Sequence, residues 1–145
     1  MADRGLVEAL ERLVVGAVGM TAVALAEFSP AAELTLQQWR ALIVVAGADG
    51  VRIGEIGSRL GMAPPSISRL VRRLERRGLV TSARDEADRR GTIVRPTALG
   101  LELRASLVDY RHRLIGDLLD TMSTPLPVGL ADDLEQLDRA FARYA

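Results

Sequence analysis

The stretch Ile53–Leu70, IGEIGSRLGMAPPSISRL, decides how this 145-residue chain is read. Apolar residues fall at Ile56, Leu60, Met62, Ile67 and Leu70, and small residues at Gly57 and Gly61. That spacing predicts two short helices packed at a steep angle. Gly57 lets the backbones approach, and Gly61 supplies the left-handed residue that ends the first helix and turns the chain. Pro64 falls just inside the second helix, where its fixed φ is favourable. The pattern is a helix-turn-helix signature, and the second helix of such a pair commonly enters the DNA major groove.

The second helix continues through Arg69, Arg72, Arg73, Arg76 and Arg77 and is expected to stop at Gly78. Its inner face would be Ile67, Leu70, Val71 and Leu74. Its outer face would carry Ser66, Ser68, Arg69, Arg72, Arg73 and Arg76. A charge run on a helix is commonly no more than a solvated face. Here it lies on the helix that the upstream turn presents, which points to nucleic acid. The formal net charge is zero, but the distribution is uneven. Residues 52–95 hold 11 Arg against 5 Asp or Glu, and the remainder holds 8 Arg against 14 acids. A basic segment in an acidic frame is the footprint of a confined DNA-binding face.

Outward from this centre, residues 4–27 predict a long helix, with Leu6, Leu10, Leu13, Ala17, Met20 and Ala24 recurring at spacings of three and four. Ser29-Pro30 breaks it. Thr35 is placed to cap a second helix running to about Ala46, with Leu36, Trp39, Leu42, Ile43 and Ala46 on its apolar face. Val51-Arg52-Ile53 reads as a short strand. After Gly78, 79–84 and 92–95 read as the strands of a β-hairpin whose tip carries Asp88, Arg89 and Arg90. Thr97 caps a helix to about Met122, with Leu99, Leu103, Leu107, Tyr110, Leu114 and Leu118 on one face. Leu130, Leu134, Leu137, Phe141 and Tyr144 form a narrow seam on a last helix. Three long apolar-faced helices outside the DNA-reading region imply a homodimer with interleaved chain ends.

These features resemble the MarR family of winged helix-turn-helix regulators. The resemblance is carried by Leu34–Trp39, Ile53–Gly61, Leu74–Val80, and Asp88-Arg89-Arg90 with Leu99 and Gly100 downstream, and it covers essentially the whole chain. It implies a wing arginine that reaches the minor groove, matched here by Arg90. Asp88 matches an acidic residue that braces the wing, and Arg89 stands beside them as a phosphate contact. A hairpin tip is thin enough for the narrow groove, and Arg suits its negative potential. Two departures matter. Ala63 stands where the family often has a capping Ser, and Pro64 and Pro65 remove two N–H groups that could meet phosphate. Contact should therefore lean on Ser66, Ser68, Arg69, Arg72 and Arg73, with Pro65 placed to touch a thymine methyl. Trp39, the sole tryptophan, reads first as core packing between the DNA-binding region and the helical frame; the resemblance also implies a small-molecule effector pocket near that junction, which Trp39, Met20 and Tyr110 would line. With five aromatic residues in the chain, an amphipathic organic molecule suits it best.

Other chemistries find little support. With no Cys, disulfides and thiolate metal sites are excluded. His112 is the sole histidine and has only Asp109 at i−3, so no metal site, cofactor or nucleophile–base set is expected, and no enzyme. The uncharged run 13–26 is 14 residues long, short for a membrane span. The expectation is a cytoplasmic protein, not a membrane protein, mainly α with a small β-hairpin wing. One MarR-like domain would cover 1–145. Within it, residues 34–96 would form the winged helix-turn-helix that binds DNA, and the helical segments 1–30 and 97–145 would form the dimerisation region. The expected function is a transcription regulator, a repressor at a palindromic double-stranded operator, released by the effector. The alternative is a winged-helix protein-interaction subunit that does not bind DNA.

Overall fold

Gly61 adopts φ 64° and ψ 34°, the left-handed geometry its position predicts, and closes helix α3 (Ile53–Leu60). A Cβ on Gly57 would lie 3.2 Å from the Met62 carbonyl oxygen and 3.4 Å from Ile67 Cγ2. Helices α3 and α4 (Pro64–Arg76) therefore meet as closely as the glycine spacing implies. The computed structural model describes residues 3–28, 33–86, 88 and 91–141. Ser29-Pro30, expected to break the first helix, and Tyr144, expected at the end of the last seam, lie outside the described residues. Around the turn stand α1 (Arg4–Glu27), α2 (Leu36–Ala46), β1 (Val51–Arg52), β2 (Val80–Arg84), β3 (Thr92–Pro96), α5 (Ala98–Asp120) and α6 (Leu130–Phe141).

The chain is mainly helical with one small antiparallel sheet, ordered β1-β3-β2. Val51 and Ser82 both pair with Val94, and Arg52 and Ala83 both pair with Ile93. Side chains alternate across a strand, so Val51 and Val94 face the core, Ser82 stands exposed at the edge of that face, and the second trio faces away. Val51, Val80 and Val94 are buried accordingly.

Helix α2 opens on a full capping box. Thr35 Oγ1 accepts the Gln38 N–H at 3.2 Å, and Gln38 Oε1 accepts the Thr35 N–H at 2.9 Å. That reciprocal bond draws Gln38 inward, and Leu36 turns to the exposed side. The apolar face is thus Trp39, Ala41, Leu42 and Val45, and Leu36 does not share it as expected. Trp39 is 1% exposed and fills the core.

Helix α5 starts where the hairpin ends. Thr97 Oγ1 accepts the Gly100 N–H at 3.0 Å and donates to the Gly78 carbonyl at 2.5 Å. A Cβ on Gly100 would sit 2.1 Å from the Leu79 carbonyl oxygen, so only glycine allows this crossing. Leu103 and Leu107 are buried, and Tyr110 and Leu114 pack against the core. Leu99 and Leu118 are exposed, contrary to the single face read from their spacing. Leu99 sits in the first helical turn beyond the hairpin, and Leu118 beyond the reach of the core.

The outer helices differ in kind. In α1 only Ala24 and Leu25 are buried, while Leu6, Val7, Leu13, Val14, Val15, Val18 and Val23 are exposed. In α6 no residue is buried. An 18-residue window of α1 has a mean hydropathy of 1.6, long and apolar enough by itself to cross a membrane. The 14-residue uncharged run understates this helix, because its 24 residues extend past the charges that bound the run.

Candidate nucleic-acid interface

Helix α4 separates its two faces cleanly. Ile67, Leu70, Val71 and Leu74 are buried, as the spacing predicts. Arg69, Arg72, Arg73 and Arg76 are exposed on the other side, with Ser66 and Ser68 half-buried between them and the core. With Glu75 these arginines frame a shallow depression of about 420 Å³. Glu75 is the acid among them, and its carboxylate accepts the Ser82 hydroxyl, which ties α4 to β2. Arg69 Nη2 reaches Ser66 Oγ at 3.4 Å. Among the described residues the cationic surface is otherwise open to an anionic partner.

The start of α4 behaves as its composition dictates. Ala63 provides no side-chain cap, and Pro64 occupies the first helical position. The Ser66 and Ile67 amides both bond the Ala63 carbonyl, at 2.9 and 3.1 Å. Pro64 and Pro65 have no N–H, so the helix start offers no amide cradle for a phosphate. Pro65 is exposed at the leading edge. Beside it a groove of about 430 Å³ runs between α3 and α4, lined by Gly54, Gly57, Ser58, Gly61, Pro64 and Ser68.

The base of the hairpin loop is built on Asp85. Its N–H donates to the Gly91 carbonyl at 3.0 Å, and the Gly91 N–H donates to the Asp88 carbonyl at 2.7 Å. The Asp85 side chain is 6% exposed and lies 2.7 Å from Arg52 Nη2. Asp88 is exposed. Arg89 and Arg90 lie outside the described residues. The loop base also holds a buried carboxylate, Asp85, which the spacing did not single out beside Asp88. A Cβ at Gly91 would lie 3.1 Å from the Asp85 side chain, so glycine leaves room for that carboxylate.

Two further ties join distant parts of the chain, one at the end of the cationic helix and one between α1 and α5. Arg77 donates to the Glu33 carbonyl oxygen at 2.8 Å and pairs with its carboxylate at 3.2 Å. At the junction of α1 and α5, the Tyr110 hydroxyl donates to Glu27 at 3.0 Å and its ring packs on Phe28. Arg113 lies 5.7 Å from the same ring centre. Donation to the Glu27 carboxylate holds the Tyr110 hydroxyl above the usual phenol range, with partial desolvation adding to it. Met20 and Tyr110 are half-buried, whereas Trp39 is sealed in the core. His112 is exposed, and among the described residues no group of three or more His, Asp or Glu is placed to hold a metal.

The comparisons with known proteins agree with this geometry. The model of the MarR family matches residues 32–91, from just before α2 to the end of the hairpin loop. The chain is 34% identical over 84 residues to the HTH-type transcriptional regulator TtmR of Methylorubrum extorquens (strain PA1), covering 58% of this chain and 43% of that protein. The chain thus spans less than half the length of that curated relative. The crystal structure of RV1404 from Mycobacterium tuberculosis matches with a TM-score of 0.80 at 19% identity, over 97% of both chains. That of FabT from Streptococcus pneumoniae in complex with DNA matches with a TM-score of 0.74 at 18% identity, over 98% of this chain and 99% of that one. The segment 32–91 thus matches the MarR family model, and nearly the whole chain shares its fold with these solved structures.

Proposed function

We propose that this chain is a cytoplasmic, homodimeric, sequence-specific DNA-binding transcription regulator, acting as a repressor that a small amphipathic organic molecule releases. The observation that carries the DNA-binding reading is the division of α4. Its apolar residues are wholly buried, and four arginines stand exposed on the opposite face. The DNA complex of FabT, which shares the fold, supports it. In this reading α4 enters the major groove, with Arg69, Arg72 and Arg73 meeting bases or flanking phosphates. Pro65, Ser66 and Ser68 lie at its leading end, and the hairpin carries Arg89 and Arg90 over the adjacent minor groove.

The uncovered apolar residues of α1 and α6 support the dimer. Exposed apolar surface of that extent on a water-soluble chain marks an interaction site. Arg104 and Arg111, two turns apart on α5, each bury an Nε that lacks a hydrogen-bond partner among the described residues. Buried donors are normally satisfied, and the exposed Asp132, Asp133, Glu135 and Asp138 of a second copy's α6 have the complementary charge. In the resulting molecule residues 34–96 form the DNA-binding region, and residues 1–30 with 97–145 form the frame that pairs. Two-fold symmetry then calls for an inverted repeat with half-sites about 10 bp apart.

The test is fluorescence anisotropy with a duplex selected from a random pool and with random duplex, at several salt concentrations. Arg69→Ala should narrow the difference between the two DNAs by about 1–3 kcal/mol. Arg90→Ala should weaken both alike and make the log–log salt slope shallower by about 1. A parent protein that binds neither duplex at low salt would establish the protein-interaction alternative instead.

A further inference from the structure

The chain crosses twice between the outer helices and residues 34–96, and both crossings are fastened to one end of α4. On the way in, Glu33 precedes the buried Leu34, and its carbonyl and carboxylate oxygens meet the Arg77 guanidinium at 2.8 and 3.2 Å. On the way out, the Thr97 hydroxyl donates to the Gly78 carbonyl at 2.5 Å and the Thr97 N–H to the Leu79 carbonyl at 3.1 Å. Residues 77–79 form the stop of α4. Gly78 takes φ 69°, and the Leu79 N–H bonds the Leu74 carbonyl across the turn. The exposed arginines of α4 and its leading Pro65 extend away from this point.

The two fastenings differ in kind. The exit is made by backbone carbonyls, and Gly100 presses close against one of them at Leu79. The entry is made by a single guanidinium. The Arg77 side chain is 27% exposed and the Glu33 side chain 85% exposed, so water and salt screen the carboxylate arm, while the carbonyl arm is charge-assisted. One fastening alone is a pivot. A second, from a different segment, stops rotation about it. Arg69 lies about 12 Å along the helix from Arg77, so a turn of about 10° at the pivot carries it about 2 Å.

We infer that residues 77–79 are the joint between the DNA-binding region and the frame that pairs, and that Arg77 is the positioning residue that fixes its angle. On the DNA-binding and dimer readings above, which this deepens, that angle sets where the two α4 helices stand relative to each other. Arg77 therefore determines which half-site spacing the dimer accepts. A charge count would assign Arg77 to phosphate with the other arginines of the run. Its guanidinium is instead engaged within the chain and acts on DNA through the placement of α4.

The test uses full-length R77M, R77K and E33Q with duplexes whose selected half-sites are moved apart or together by one or two base pairs, at several salt concentrations. In R77M the preference for the selected spacing over its neighbours should fall about fivefold, the size of one partly exposed charged contact, with the salt slope unchanged. R77K should restore part of the preference. E33Q should lie between R77M and the parent, because the Glu33 carbonyl still accepts. In parallel and without DNA, spin labels on Glu11→Cys and Ala63→Cys report the distance from α1 to the leading end of α4, in labelled copies diluted with unlabelled protein. The chain has no cysteine of its own, so the labels go only to these two positions. R77M should broaden that distance distribution. A phosphate contact makes a different demand. R77M would then weaken binding at every spacing alike and make the salt slope shallower by about 1, with the distances unchanged. That result overturns the inference, and so does an R77M that keeps the parental distances whatever its affinity. If R77M does not fold, R77K and E33Q decide, and parental spacing preference and distances in both overturn it. If the parent binds no DNA, the DNA-binding reading fails, and the distances in R77M still decide whether Arg77 holds the joint.

Discussion

Helices α4 and α1 solve opposite problems. Helix α4 buries Ile67, Leu70, Val71 and Leu74 inside its own chain and shows its arginines. Helix α1 buries only Ala24 and Leu25 and leaves Leu13, Val15 and Val18 exposed, Val15 at 67%. A helix amphipathic within one chain is stabilised by that chain. A helix apolar on its outward sides needs a partner that the chain does not contain. The contrast separates what one copy folds by itself from what, in the proposed dimer, two copies fold together.

The largest expected effect tests the outer side of the contrast. Leu134 is exposed on α6, in the seam proposed to meet a second copy. Leu134→Asp should split the dimer in sedimentation experiments and lower the melting temperature of the assembly, because a buried charge costs several kcal/mol. A variant that stays dimeric with unchanged melting breaks the seam assignment. Next comes the inner side. Leu74 is fully buried, and Leu74→Ala should cost about 2–5 kcal/mol of unfolding free energy in calorimetry or denaturant titration. That loss should be measurable equally in the Leu134→Asp background, since it lies within one copy. Additive losses keep the two regions separate, and a large coupling merges them.

Two glycines sharpen the comparison further. Gly100 would place a Cβ 2.1 Å from a backbone carbonyl, which cannot yield as a flexible side chain would. Gly100→Ala should therefore destabilise by about 1–3 kcal/mol or more, and weaken any DNA binding by shifting α5 off the end of α4. Gly19 of α1 has nothing within 4 Å of such a Cβ. In an isolated copy Gly19→Ala should stabilise by about 0.4–1 kcal/mol through the unfolded state and helix propensity. The same substitution destabilises if a second copy packs its backbone there. The sign of that small shift, read from thermal melts at two protein concentrations, tells whether α1 is covered at residue 19.

The helix-turn-helix was legible because its signals are local. Gly61 ends a helix through its own φ, Gly57 acts on a neighbour ten residues away, and Ile67 to Leu74 follow helical period. The capping box of Thr35 and Gln38 was half legible: Thr35 was read as a cap, but the burial of Gln38 and the outward turn of Leu36 were not. Spacing placed Leu99 and Leu118 with Leu103 and Leu107, and the structure separates them, since a helix longer than its core outruns it at both ends.

The amino-acid sequence by itself determined the order of helices, the turn at Gly61, the short strand at Val51 and the division of α4 into apolar and cationic faces. These follow from backbone preference and periodicity over a few residues. Only the tertiary structure decided that Arg52 meets Asp85, that Glu75 bonds Ser82, that Arg77 reaches Glu33 and that Gly100 lies against Leu79. Each of these joins residues brought together by strand order or helix crossing, and no local rule specifies which distant charge or carbonyl will be there. The exposure of α1 belongs with them. Its apolar residues are plain in the sequence, but which of them its own chain covers, Ala24 and Leu25, is decided by packing.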